Sequence, residues 1–250
     1  MEISGTIKPY KKDADYSYAL GAFPTIELIK KAADKVIGVY VHSSFTDREN
    51  VEALCRERSI PVWNNDKMIA RLSDKENVFV IGVFRKYEEK LDAGQPHLML
   101  VNPSNMGNAG TILRTCLAFG IHDVAIITPA IDYFNPKVIR ASMGAAFSMR
   151  LQCFESFEEY RAQYGSAERE LYSFMLTATE QLTVDTCPKP ELYTLIFGNE
   201  ATGLPEEYAE FTNSIIIPQS PEVDSLNLTI AVGIGTYMFR KETGRQNGGN

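Results

Sequence analysis

Histidine and cysteine are scarce in this sequence, and the few present are scattered. His42, His97 and His122 lie far apart, and Cys55, Cys116, Cys153 and Cys187 form no CxxC pair. Zinc and iron–sulfur sites draw on closely spaced ligands of these types, so a metal centre is not expected. Isolated cysteines point instead to buried free thiols in a reducing compartment, and the cytoplasm is the expected location. Long apolar runs are missing as well. None approaches the ~20 residues that cross a bilayer. The opening stretch, "MEISGTIKPYKKDADYSYAL", lacks an apolar h-region, so neither a membrane span nor a signal peptide is expected. Nor does the chain carry the G-x-G-x-x-G or G-x-x-x-x-G-K-[ST] fingerprint, which disfavours a doubly wound nucleotide-binding enzyme. Finally, there is no excess of positive charge. The net charge is −7, a weak argument against a polyanionic partner. The distribution qualifies this: residues 1–90 hold 15 basic and 14 acidic side chains, the remainder 10 and 18. The N-terminal third is therefore the better place for a polyanion to touch, and Lys8, Lys11, Lys12, Lys30, Lys31, Arg85 and Lys86 are the candidate contacts.

What is present is an α/β pattern. With 250 residues, 44% of them hydrophobic, the chain suffices for one large α/β domain or two small ones. Periodicity predicts a helix over 25–35 with Thr25 as its cap, a β-branched strand over 36–41, a helix over 48–58 capped by Asp47, and a short strand at "IPVW". A helix over 65–72 and a strand over 78–84 complete a compact unit. Residues 85–96 lack apolar periodicity and contain Gly and Pro, as linkers do. Three segments are thus expected: a small domain over 1–90 with an N-terminal extension, a linker at 91–96, and a second domain over 97–250. In the second domain, strands are predicted at 98–101, 123–128, 149–153, 171–176, 192–197 and 214–217. Helices are predicted at 108–119, 136–143, 155–163, 205–211 and 226–241, and "GRQNGGN" reads as a frayed tail. Such alternation implies a mostly parallel sheet.

Three stretches carry chemistry. The first is "NPSNMGNAGTILRTCLAFG" (102–120). On its helix Gly107, Gly110 and Arg114 share a face, which predicts a gap floored by backbone beside a fixed cation, suited to a phosphate or ribose. The bland reading, a solvated arginine with two packing glycines, carries equal weight for this helix alone. The second is "LYTLIFGNEATGLPEE", which sets Glu200 just past the C-terminal end of a buried strand, where open α/β sheets bind ligands. The third is "SIIIPQSPEVDSLNLTIAVGIGTYMFRK". Here a strand stopped by Pro218 leads through a polar loop to a helix whose start, at Ser225 and Asn227, offers free N–H groups. Ser225 is a possible N-cap through its Oγ. The helix is apolar nearly all round, so it is expected to be buried or to pack on a second subunit.

Together these stretches resemble the SpoU/TrmH branch of the SPOUT RNA methyltransferases, over roughly residues 97–242. "VIRASMGAAF" (138–147) is similar to a further family segment. The N-terminal unit resembles the small αβα ribosomal-protein-like domain that many members carry for substrate RNA. The resemblance implies an α/β-knot domain, with a deep trefoil knot and a mostly parallel sheet, preceded by that small RNA-binding domain. It implies a homodimer through the knot domain, S-adenosyl-L-methionine as methyl donor without a metal, and methylation of a ribose 2′-hydroxyl in rRNA or tRNA. By position, Gly198, Ile217 and Leu226, with Phe197, Pro218 and Thr177, match the cofactor-binding residues. Arg114, Asn108, Glu200, Ser225 and Asn227 match the catalytic and substrate-positioning set. A guanidinium does not readily deprotonate, so the role expected for Arg114 is to hold an RNA phosphate and stabilise a developing alkoxide. Asn108 and Asn227 suit ribose hydroxyls, and Glu200 suits anchoring Asn108 or orienting the loops. A non-catalytic knot-fold RNA-binding protein and an antibiotic-resistance rRNA methyltransferase are the alternatives.

Overall fold

The structure, a computed structural model, describes residues 7–240 apart from 74 and 76. The end of the last expected helix and the expected C-terminal tail lie outside the described residues. The chain divides into two compact units. One comprises the residues through Lys90 with Asn105–Arg114 and Ile131–Leu151; the other comprises Leu91–Ser104, Thr115–Ala130 and the residues from Gln152 onward.

The first unit is built on strands β1 (Tyr16–Leu20), β2 (Val36–Val41), β3 (Val62–Asn64) and β4 (Val80–Arg85), in the order β1-β4-β2-β3. β4 is antiparallel to β1 and β2, while β3 joins β2 in parallel. Because side chains alternate along a strand, the sheet buries both faces. Ile29 of helix α1 (Ala22–Lys31) and Val51 and Cys55 of α2 (Arg48–Glu57) pack with Val39, Val41 and Val80. On the other side Ile69 and Leu72 of α3 (Asp66–Leu72) pack with Tyr18, Tyr40, Ile81 and Val83. The result is an αβα arrangement.

Several local expectations are corrected here. β1 was not anticipated; its polar and aromatic mix, "YSYAL", hides a strand whose Ser17 is buried and donates to Phe134 O at 2.5 Å. Thr25 is not a cap. The first helix begins three residues earlier, and the buried Thr25 hydroxyl donates to Ala19 O and accepts from Gly82 N, both at 3.0 Å. It thereby ties the helix to two strands. Asp47 does precede α2, but makes no side-chain cap bond there. Lys86, a candidate RNA contact, is committed to Asp132 at 2.5 Å.

The second unit centres on seven strands in the order β7-β6-β5-β10-β8-β11-β9. These are β5 (His97–Val101), β6 (Asp123–Ile127), β7 (Arg150–Phe154), β8 (Glu170–Phe174), β9 (Glu180–Gln181), β10 (Tyr193–Phe197) and β11 (Asn213–Ile216). The pairings β6–β5, β5–β10, β10–β8, β8–β11 and β11–β9 are all parallel. β5, β6 and β10 are buried at every residue, as central parallel strands are. On one face α6 (Phe157–Tyr164) packs Phe157, Tyr160 and Tyr164 against Met99, Val101 and Ile196. On the other, α7 (Leu228–Phe239) brings Gly235 against the stacked rings of Phe174 and Phe197. The two-residue β9 was not anticipated, and the helix expected at 205–211 is a 3₁₀ turn, Glu206–Glu210. Leu91, in the stretch expected to link domains, is buried in this core. The parallel seven-stranded α/β architecture fits the knotted class that the resemblance implies.

Helix α4 (Met106–Ala118) follows β5, and α5 (Pro136–Ala141) follows β6. The α4 glycine face is not the open gap expected. A Cβ on Gly110 would stand 2.5 Å from Ala141 Cβ and 2.6 Å from Val138 O, so Gly110 is there to let α5 pack closely.

Candidate active site

In the second unit the winding of the sheet reverses between β5 and β10. The chain runs from β5 through β6 to β7 on one side, and the later strands fill the other. Crevices outside the C-terminal strand ends at such a reversal are where open parallel sheets bind ligands. Three loops leave that rim: 102–105 after β5, 198–204 after β10, and 217–227 after β11.

A cavity of about 240 Å³ opens between the second and third of these loops and the C-terminal end of β8. Phe174, Leu176, Phe197, Ile217, Leu226 and Leu228 give it an apolar body, and Asn199, Glu200, Thr202, Gln219 and Ser225 give it a polar rim. Six residues singled out in the sequence, Phe197, Gly198, Glu200, Ile217, Ser225 and Leu226, thus line one cavity. Pro218 and Thr177 are not on its wall, though each adjoins a residue that is. A cleft of about 880 Å³ lies elsewhere in this unit, lined by Glu158, Arg161, Glu170 and Glu210 among others. It sits at the N-terminal ends of β8 and β11, with a mixed charged lining that includes Arg169. Location decides for the smaller cavity.

The loop after β10 is a tight structure. Asn199 and Gly203 exchange backbone hydrogen bonds at 3.1 and 3.0 Å, and Gly203 takes φ +69° to close the turn. Gly198 has no room for a side chain: a Cβ would stand 2.1 Å from Gly203 C and 2.4 Å from Leu204 N. The Asn199 side chain accepts from Ala201 N and donates to Asn102 O, both near 2.9 Å (2.9 and 2.8 Å). Asn102 is itself left-handed, with φ 50°. Its N–H donates to Ile127 O and its amide to Pro129 O. Ser104 reaches the same loop: its N–H and Oγ both donate to Glu200 Oε2, at 3.2 and 2.9 Å. Asn102, Ser104 and Asn199 were not singled out in the sequence. The available signal was weak: asparagines immediately after a strand, a type that tolerates left-handed backbone.

At the third loop the expectation for Ser225 is corrected. α7 begins at Leu228 and its cap is Asn227, whose Oδ1 accepts from Thr229 N at 2.9 Å and Thr229 Oγ1 at 2.7 Å. Ser225 lies two residues outside the cap and is exposed on the cavity wall. The Asn227 oxygen is therefore engaged by the helix, and its amide nitrogen is the group left to meet a ligand.

In the first unit, Asn105 anchors the start of α4. Its Oδ1 accepts from Gly107 N and Asn108 N at 2.8 and 3.0 Å. Asn108 is half-buried in the opening turn. Arg114 is exposed on α4, and no ion pair or hydrogen bond engages its guanidinium among the described residues. Cys116, on the buried side of the same helix, has its thiol pushed far above the usual range by burial and is chemically quiet. Among the described residues no group of three or more His, Cys, Asp or Glu is placed to hold a metal ion, and no helix is long and apolar enough to cross a membrane.

Comparison with known proteins agrees with this geometry. A tRNA/rRNA methyltransferase of Synechocystis sp., slr1673, is 33% identical over 146 residues, 58% of this chain and 53% of that protein. The 23S rRNA (guanosine(2553)-2′-O)-methyltransferase RlmP of Bacillus subtilis is 28% identical over 161 residues, 61% of each chain. The chain thus spans between about half and three-fifths of the length of these curated relatives. An AdoMet-bound rRNA methyltransferase from Sinorhizobium meliloti superposes with a TM-score of 0.73 at 26% identity, covering 90% of this chain and 86% of that one. The pattern described as the SpoU rRNA Methylase family matches residues 95–237, the stretch that supplies all three loops of the rim and helix α4. On that match, which takes in more than half of its residues, the chain belongs to the SpoU rRNA Methylase family.

Proposed function

We propose that this protein transfers a methyl group from S-adenosyl-L-methionine to a ribose 2′-hydroxyl of structured RNA, rRNA or tRNA. The observation that carries the proposal is the cavity over the C-terminal ends of β8, β10 and β11, where residues from two family motifs meet around an apolar body with a polar rim. Such a lining suits a donor with a flat base at one end and charged groups at the other. When bound, the donor supplies an electrophilic methyl on a sulfonium. The main chain at Gly198, Ile217 and Leu226 would bind it, and Phe174, Phe197 and Leu228 would keep water away.

The acceptor hydroxyl is a weak nucleophile, so the chain must orient it and tolerate charge growing on its oxygen. Asn108, Glu200, Ser225 and the Asn227 amide are the proposed orienting groups. Arg114 is proposed to hold the neighbouring phosphate and stabilise the alkoxide. Its exposure and its lack of a partner among the described residues support that role, since a committed arginine would have to break a bond first. The B. subtilis relative's name specifies 2′-O transfer to a guanosine of 23S rRNA, which supports the acceptor assigned here. The αβα unit is proposed as the RNA-gripping domain.

A homodimer through the second unit is proposed as well. Ile230 and Tyr237 of α7 are 54% and 49% exposed, an apolar face that a second copy would cover. The four cysteines are all free, which fits a cytoplasmic enzyme. The test is methyl transfer from tritiated donor to unmodified rRNA and tRNA transcripts. Arg114→Ala should lower the rate by about a hundredfold or more, with unfolding unchanged. Retention of full activity in that variant would reject the assigned role, and a wild type that binds no donor would reject the function.

A further inference from the structure

Glu200 sits at the cavity mouth, at the start of a turn. A carboxylate on a flexible side chain is of little use for orienting a substrate unless something fixes it, because each free rotamer dilutes the productive one. In this chain the fixing group comes from a different loop. Ser104 donates twice to one oxygen, Glu200 Oε2, through its N–H at 3.2 Å and its Oγ at 2.9 Å. A second tie runs in parallel, from Asn199 Nδ2 to Asn102 O at 2.8 Å. Each loop thus gives and takes: Asn102 accepts and Ser104 donates on one, Asn199 donates and Glu200 accepts on the other. Asn102 holds its left-handed conformation through bonds to Ile127 O and Pro129 O, so the 102–104 segment is a firm reference for the loop that carries Glu200.

We propose that Ser104 is a positioning residue for methyl transfer: it clamps Oε2 of Glu200 and so fixes the orientation of the carboxylate. The inference rests on the methyltransferase reading above. Ser104 itself is not on the cavity wall and acts through Glu200.

The experiment compares Ser104→Ala, Ser104→Thr, Glu200→Ala and the double variant Ser104→Ala/Glu200→Ala in the full chain. Methyl transfer to unmodified rRNA and tRNA transcripts gives kcat and KM, and calorimetry gives donor affinity. Ser104→Ala should lower kcat about tenfold, the order of one hydrogen bond to a charged group, and leave KM and donor affinity within about twofold. Ser104→Thr keeps the hydroxyl and should recover most of the rate. Because Ser104 acts through Glu200, the double variant should be no slower than Glu200→Ala alone, which already removes the acceptor. A merely structural serine would instead lower the melting temperature and would multiply its effect onto Glu200→Ala. Wild-type kcat in Ser104→Ala, or full multiplication in the double variant, overturns the proposal while the enzyme reading stands. A wild type that neither binds donor nor transfers methyl ends both.

Discussion

Replacing Gly198 by alanine is the sharpest probe of the candidate site, because the obstruction is backbone rather than a movable side chain. The new methyl would stand 2.1 Å from Gly203 C, 2.3 Å from Gly203 O and 2.4 Å from Leu204 N. None of these can rotate aside, so the 198–204 loop must open. Opening breaks the paired Asn199–Gly203 backbone bonds at 3.1 and 3.0 Å. It also strains the link from Asn199 Nδ2 to Asn102 O. Three hydrogen bonds at ~0.5–1.5 kcal/mol each put the loss at roughly 2–4 kcal/mol. For a chain of this length that corresponds to a fall in melting temperature on the order of 5–15 °C. If the opening stays local, it appears instead as faster amide exchange confined to 198–204, together with weakened binding of S-adenosyl-L-methionine. Gly203→Ala is the control. Its Cβ meets nothing within 4 Å, so it carries only the ~1–2 kcal/mol penalty of an L-residue at φ +69°. Thermal melting, hydrogen exchange and calorimetry would read both variants. A Gly198→Ala protein with unchanged melting, exchange and donor affinity would refute the reasoning.

Asn227→Ala should destabilise α7 by ~1 kcal/mol through loss of its cap, whereas Asn227→Ser keeps a capping oxygen and should restore the stability. If Asn227→Ser melts like wild type but transfers methyl slowly, the amide nitrogen has a role beyond the cap; normal transfer would remove Asn227 from the proposed orienting set. The buried thiol of Cys55 is pushed up from its usual value of 9.0 to about 11, chiefly by desolvation. The folded state therefore keeps a proton that the unfolded chain releases. The stability this contributes is fully present below pH 9 and is lost as pH rises toward about 11, with a limiting slope of ~1.4 kcal/mol per pH unit. Urea unfolding across that window should show a shallower decline for Cys55→Ala than for wild type, and equal slopes would contradict the assignment.

Much of the architecture was legible because periodicity reports burial. Apart from Gly38 and Asp123, β2, β6 and β10 are β-branched or apolar, and strands buried on both faces read as such. β1 was illegible for the same reason. "YSYAL" shows no apolar alternation, since Ser17 faces inward and satisfies its hydroxyl at Phe134 O, a partner over a hundred residues away. Thr25 misled in a related way. A threonine near the expected start of a helix resembles a cap, yet its hydroxyl is spent on two strands within the core. Short-range patterns carry no information about partners brought in by tertiary structure.

The same limit explains how the site was read. Gly198, Glu200 and Ile217 were accessible because they lie within a few residues of a strand end, and a parallel sheet gathers strand ends at one rim. The chemistry of individual side chains was less accessible, because it depends on what each atom already does. Asn227 offers an acceptor and donors in sequence, but helix α7 claims the acceptor. Gly110 suggested space, but α5 occupies it. Ser104 looked like one polar residue among several, and only its distance to Glu200 gives it a role. Convergence of loops at the rim follows from topology, so motifs reveal it. The division of donors and acceptors within the rim is decided by contacts across loops, so it is there that substitutions such as Ser104→Ala and Asn227→Ser discriminate between a scaffold and a working site.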